Sequence, residues 1–196
     1  MERRKSLRNR ILLGNPLVLG AGILLASGAG AAIALTAVTT EIPLFLDTVG
    51  TAVIAALFGV FPGVLTGLLT NTIAELFHPH HALFISFAPV NMTTGLIVGL
   101  LAWRHHLARP GVLGSAVVLV TCASILLGSV TALFVHAGVT ATSVDHLVTS
   151  LALSGRSLSV AAFLARIPVN LVDKSISLIA AYWVYLWVYG EYQGEG

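Results

Sequence analysis

Seven polar side chains stand where the surrounding sequence suits hydrocarbon: Asp47, Asn71, Glu75, Asn91, Asn170, Asp173 and Lys174. Carboxylates, amides and an ammonium in such surroundings can grip a small polar solute by charge and hydrogen bonding. A charged group near the middle of a bilayer costs roughly 2.5 to 3.5 kcal/mol on insertion scales, so it is kept for a pathway, a binding site or a mutual pair. Asp47 with Thr51, Asn71 with Glu75 and Asn170 with Lys174 are i, i+4 pairs, which stack on one helix face. Each helix thus offers a small polar patch. The same charges have a purely structural use, with Lys174 neutralising Asp47 or Glu75 and fixing helix register without touching a ligand.

Other chemistries find little to work with. Lys5 and Lys174 each precede a serine but follow Arg4 and Asp173, so the phosphate-binding loop G-x-x-x-x-G-K-[ST] is missing. ATP cannot be hydrolysed by that route. Neither H-E-x-x-H nor G-x-S-x-G occurs in the chain, which removes the zinc-protease and serine-hydrolase patterns. The chain is not read as an enzyme, no cofactor is implied, and Glu75 with His78 as acid and base is a remote option. Neutral imidazole is a common ligand of nickel, cobalt or zinc, and His78, His80, His81, His136 and His146 fall toward one face. Their spacing matches no defined metal motif, so metal uptake through His78, His80 and His81 is a lesser alternative. Cys122 is the lone cysteine and has no partner for a disulfide.

The elements that must position these groups follow from composition. Of 196 residues, 57% are apolar and 9% charged, with a mean hydropathy of +0.94, against about 25% charged in soluble domains. This is an all-α integral membrane protein whose solvent is the lipid bilayer. The basic run MERRKSLRNR reads as a topological anchor, and no nucleic-acid partner is implied. The apolar stretch from Ile11 to Thr40 exceeds the roughly 7 to 15 residues of a signal peptide's core, so the start is expected to be retained.

Six transmembrane helices are expected, since about 20 apolar residues cross about 30 Å of hydrocarbon. They run from Pro16 or Leu17 to Thr39, Pro43 to Val60, Gly63 to Phe77, Leu83 to Trp103 (broken by Pro89), Val112 to Ala137, and Pro168 to Val188. Phe61-Pro62-Gly63 leaves room only for a tight turn. Residues 138–165 are too polar to span and read as an outer loop carrying one or two short amphipathic helices, joined through Ser154-Gly155. The chain then divides into a basic segment (1–16), a membrane domain (17–189) and a short tail (190–196). Arg3, Arg4, Lys5, Arg8, Arg10, Arg104 and Arg109 share one side, against Arg156, Arg166 and Lys174 on the other, which puts both termini in the cytoplasm. Asp47 is then expected about 6 Å below the outer interface, Asn71 and Asn91 near the midplane, and Asn170, Asp173 and Lys174 about 3 to 9 Å below the outer edge. Gly22, Ala26, Gly30 and Ala34 form a smooth stripe on the first helix, fit for close approach of a helix from a partner or from the same bundle.

The run Leu44-Phe-Leu-Asp-Thr-Val-Gly-Thr51, the Gly59-Val-Phe-Pro-Gly63 turn leading to Gly67-Leu-Leu-Thr-Asn71, and Arg166-Ile-Pro-Val-Asn-Leu-Val-Asp-Lys174 together resemble the membrane substrate-binding (S) component of energy-coupling factor (ECF) transporters. The resemblance covers nearly the whole chain. It implies a six-helix bundle that captures a vitamin-like micronutrient or a metal from outside, paired with a membrane coupling (T) subunit and two ATP-binding subunits. It also implies that Gly22, Ala26, Gly30 and Ala34 dock that partner. The expected function is substrate capture for an ATP-driven importer in a bacterial or archaeal plasma membrane, with loops 78–82 and 138–165 closing over the solute. The alternative from another class is a membrane ligand sensor signalling to a separate protein.

Overall fold

In a computed structural model, which describes residues 15–78, 83–105, 107, 109–140 and 142–190, every regular element is an α-helix. These are α1 (Pro16–Thr39), α2 (Thr48–Phe58), α3 (Val60–Phe77), α4 (Leu83–Ser86), α5 (Ala88–His105), α6 (Pro110–His136), α7 (Val144–Leu153) and α8 (Leu158–Gly190). α1, α3, α6 and α8 are long and apolar enough to cross a membrane. Local chemistry sets several boundaries. Asn15 accepts the Leu17 N–H at 3.0 Å ahead of Pro16, a side-chain cap with proline in the first turn, where its missing donor is harmless. Gly59, at φ +96°, takes the left-handed turn that separates α2 from α3.

The bundle is apolar outside and polar inside. Leu17, Leu25, Phe134, Leu153, Trp183 and Trp187 are among many large exposed apolar side chains, while Ser27, Thr48, Thr66, Asn71, Asn91, Asp173 and Lys174 are buried. Water would favour the reverse arrangement. Lipid accepts it, and four long apolar helices of this kind mark a multi-pass membrane protein.

Small residues bring the helices together. A Cβ on Gly30 would lie 2.8 Å from the Asp47 carbonyl oxygen and 2.9 Å from Thr70 Cγ2, and Gly50 abuts the Ala26 backbone in the same way. Ala34 is buried as well. Of the stripe, Gly30 and Ala34 are buried and Gly22 and Ala26 half-buried, packed toward α2 and α3 within the bundle. α3 and α5 cross antiparallel through Gly63, Gly67, Gly95 and Gly99; a Cβ on Gly67 would meet the Asn91 carbonyl carbon at 2.7 Å, and one on Gly99 the Val60 Cα at 2.6 Å. These two facing G-x-x-x-G pairs let the backbones touch.

Four expected spans differ from the structure. The third begins at Val60, so Phe61-Pro62-Gly63 lies in its first turn and the break falls at Gly59. The helix expected from Pro43 is only Thr48–Phe58, 11 residues long, because Pro43–Asp47 runs back down into the bundle without helical hydrogen bonds. The break in the fourth expected span falls at Phe87, between α4 and α5, and Pro89 sits harmlessly in the first turn of α5. The last helix starts ten residues before Pro168, at Leu158. Proline is tolerated within membrane helices more readily than in soluble ones; on either side of it Arg166 donates to the Ala162 carbonyl at 3.0 Å and Asn170 to the Arg166 carbonyl at 2.9 Å. Among the described residues of segment 138–165 the short helix is α7, after which the chain turns at Ser154 and Gly155 (φ +89°) so that α7 packs on the start of α8. The basic segment with Arg3, Arg4, Lys5, Arg8 and Arg10, His80, His81, His106 and the tail beyond Gly190 lie outside the described residues.

Apolar packing forms two caps at one end of the bundle and a floor toward the other. Ala31, Ala34, Ala74 and Phe84 make one cap, and Val144, Val148, Ala161, Ala162 and Ala165 the second. The floor is Ala52, Ala55, Ala56, Val98, Val120, Leu178, Ala181 and Tyr185.

Candidate functional site

Between the caps and above the floor lies a cavity of about 70 Å³, room for on the order of five water molecules before any wall moves. Its position follows from the short α2. Asp47 immediately precedes α2 and is level with Gly30, nine residues short of the end of α1, so it lies about 14 Å down that helix. It lies farther from the end of α1 than a helix running straight on from Pro43 would put it, because the chain re-enters the bundle before α2 begins. The early start of α8 likewise puts Asp173 fifteen residues into that helix, about 23 Å from its first residue.

Lys174 is the hub. Its ammonium lies 2.6 Å from Asp173 Oδ2 and 3.7 Å from Asp47 Oδ1, and donates to Thr48 Oγ1 at 3.2 Å. With 3% exposure, it could not stay ionised without such partners. Asp173 uses its other oxygen to accept the Leu46 N–H at 2.7 Å. That bond holds Leu46 at φ +49°, a conformation costly for a side chain of its size, and thereby places Asp47. Lys174 thus pairs with carboxylates and also lines the cavity.

The amides extend the network across the bundle. Asn91 donates to Asn71 Oδ1 at 3.0 Å and to Asp47 Oδ2 at 3.3 Å, and Asn71 donates to the Phe84 carbonyl at 2.7 Å. Asn91 Oδ1 is buried without a hydrogen-bond partner, leaving an acceptor free at the cavity wall. Asp47, Asn71, Asn91, Asn170 and Lys174 thus converge on one space. Glu75 and Asp173 do not line it. Glu75 accepts the Phe84 and Ile85 N–H groups at 2.8 and 3.2 Å, fixing the start of α4, and Asp173 stands behind Lys174.

Sequence reasoning missed other lining residues. Arg166 points into the cavity, although the proline taken as the start of its helix had placed it at the interface; Ser124, Thr140 and Thr142 join it. Their common signal was weak, being lone hydroxyls in an apolar run and a polar loop. Asp145 ties that loop down by accepting Thr140 N–H, Thr140 Oγ1 and Thr142 N–H.

Among the described residues, His78, His136 and His146 do not line the cavity. His136 stacks on Phe87 and bonds Ser86 Oγ through Nε2 at 2.7 Å, and His78 caps α3 with its ring edge-on to Phe84. Among the described residues no three His, Cys, Asp or Glu side chains converge to hold a metal ion. The arrangement suits recognition of a small polar solute by opposite charges and amides. No protein-family description, curated protein or solved structure matches the chain, so the functional reading stands on the chemistry of this cavity.

Proposed function

We propose that the chain is the membrane-embedded solute-capture subunit of an ATP-driven importer, on the plan of the S component of ECF transporters. Its bundle would cross the bilayer six times, counting the short α2 and the broken α4–α5 as crossings, with both ends in the cytoplasm and the cavity filled from outside. One observation carries this reading: a cavity lined by Asp47, Asn91, Lys174 and Arg166 inside a bundle whose outer surface is apolar. Irregular backbone at membrane depth is sustained where it is buried in protein or lines a cavity, and Pro43–Asp47 and Phe87 flank this one. Delivery inward would need a coupling subunit and two ATP-binding subunits, because in this orientation the apolar floor would close the cavity on the cytoplasmic side. Such partners would dock on a face other than the Gly22–Ala34 stripe.

Purified protein, denatured and analysed by mass spectrometry, should release one small polar compound. Asn91→Leu, which removes the free acceptor and fills space, should reduce its recovery by roughly tenfold or more, equivalent to ~1.4 kcal/mol. Equal recovery from this variant and the wild type would reject the cavity as the capture site.

A further inference from the structure

Arg166 is buried, with 5% exposure, and lines the cavity. One of its five donors reaches a protein acceptor, the Ala162 carbonyl, at 3.0 Å. The ion pairs of the described network join Lys174 to Asp47 and Asp173, and neither carboxylate reaches Arg166. Asp145 is the acidic residue whose charge acts on Arg166, but its oxygens are occupied by Thr140 and Thr142. A buried guanidinium held by one neutral carbonyl is poorly compensated. Its planar fork fits a carboxylate in two parallel hydrogen bonds. Ser124 Oγ, on the same wall, is also buried without a hydrogen-bond partner.

The other side of the cavity has the opposite balance. Asp47 and Asp173 share the single ammonium of Lys174, so that cluster sets two carboxyl groups against one cation. Arg166 and Lys174 lie eight residues apart on α8, and both line the same cavity, so the two poles face a common space. Resting on the capture reading above, we propose that the solute is a small zwitterion whose carboxylate is held by Arg166 and whose cationic or N–H-bearing end meets Asp47 and the free Asn91 Oδ1. Such a molecule brings no net charge into the bilayer and satisfies both poles together.

The test uses the full-length protein in detergent or nanodiscs, with a panel of aminocarboxylates and betaines and their matched carboxamides as probes in thermal-shift and equilibrium binding. The wild type should bind at least one zwitterion and prefer it to its carboxamide by on the order of 30-fold or more, the range for losing one partner of a buried charge pair. Arg166→Gln should abolish that preference while still binding the carboxamide, a selectivity change that mere loss of folding does not produce. Arg166→Lys should restore part of it. Wild-type binding of a zwitterion with the preference intact in Arg166→Gln, or co-purification of a solute without a carboxylate, would overturn the Arg166 assignment and leave the capture reading standing. If no panel compound binds and no solute co-purifies, the capture reading fails and takes this inference with it.

Discussion

Lys174 decides the stability of the polar interior because two carboxylates depend on it. Lys174→Met should strand Asp47 and Asp173 together and destabilise the fold by about 3 to 5 kcal/mol, read as a lower midpoint in thermal or denaturant unfolding. Adding Asp47→Asn should recover part of the loss, because one of the two stranded charges is then gone. A Lys174→Met protein with wild-type stability would mean that the ion pairs carry no weight. The residues of this cluster were legible in the sequence, since charges inside apolar runs announce themselves, but their roles were only half so. Asn71 and Glu75 share a face as their spacing requires; they part company because Glu75 meets two N–H groups freed by the start of α4. A helix break creates partners that side-chain spacing does not reveal. Arg166 was hidden by the opposite effect, a proline that fails to break its helix.

At the level of elements, helix positions were readable where hydropathy ran long and unbroken, as in α1 and α6. They were misread where tertiary contacts override it, as in α2. The re-entrant Pro43–Asp47 segment depends on a hydrogen bond from Leu46 to Asp173, 127 residues away, which no local pattern encodes. The glycine pairs of α3 and α5 were present in the sequence, yet their mutual alignment needed the fold. Gly67→Ala should push directly on the Asn91 backbone and cost about 1 to 3 kcal/mol, with a parallel loss of solute binding. Gly20 and Gly28 have open space where a Cβ would go, so alanine there should be neutral or stabilising by up to about 1 kcal/mol. Unfolding midpoints of the three single variants compare these directly. If Gly67→Ala behaves like Gly28→Ala, the close crossing of α3 and α5 is wrong.

For the whole molecule, the antiparallel pairings put Arg104 and Arg109 at the end where α5 leaves and α6 begins, opposite Gly155 and Arg156 in the α7–α8 turn. Positive charge favours the cytoplasm. In a Cys122→Ala background, Arg156→Cys should react with an impermeant thiol reagent in intact cells, and Arg104→Cys only after permeabilisation. The reverse pattern would invert the protein and turn its cavity toward the cytoplasm. The floor beneath that cavity has a further consequence, for electrical insulation. Ala52, Ala55, Val98, Leu178 and Ala181 have no exposure at all, so an ion leaving Lys174 in their direction would have to shed its hydration against methyl groups. On the proposed reading the chain alone would be a dead end, able to hold water and charge within a membrane without dissipating the voltage across it.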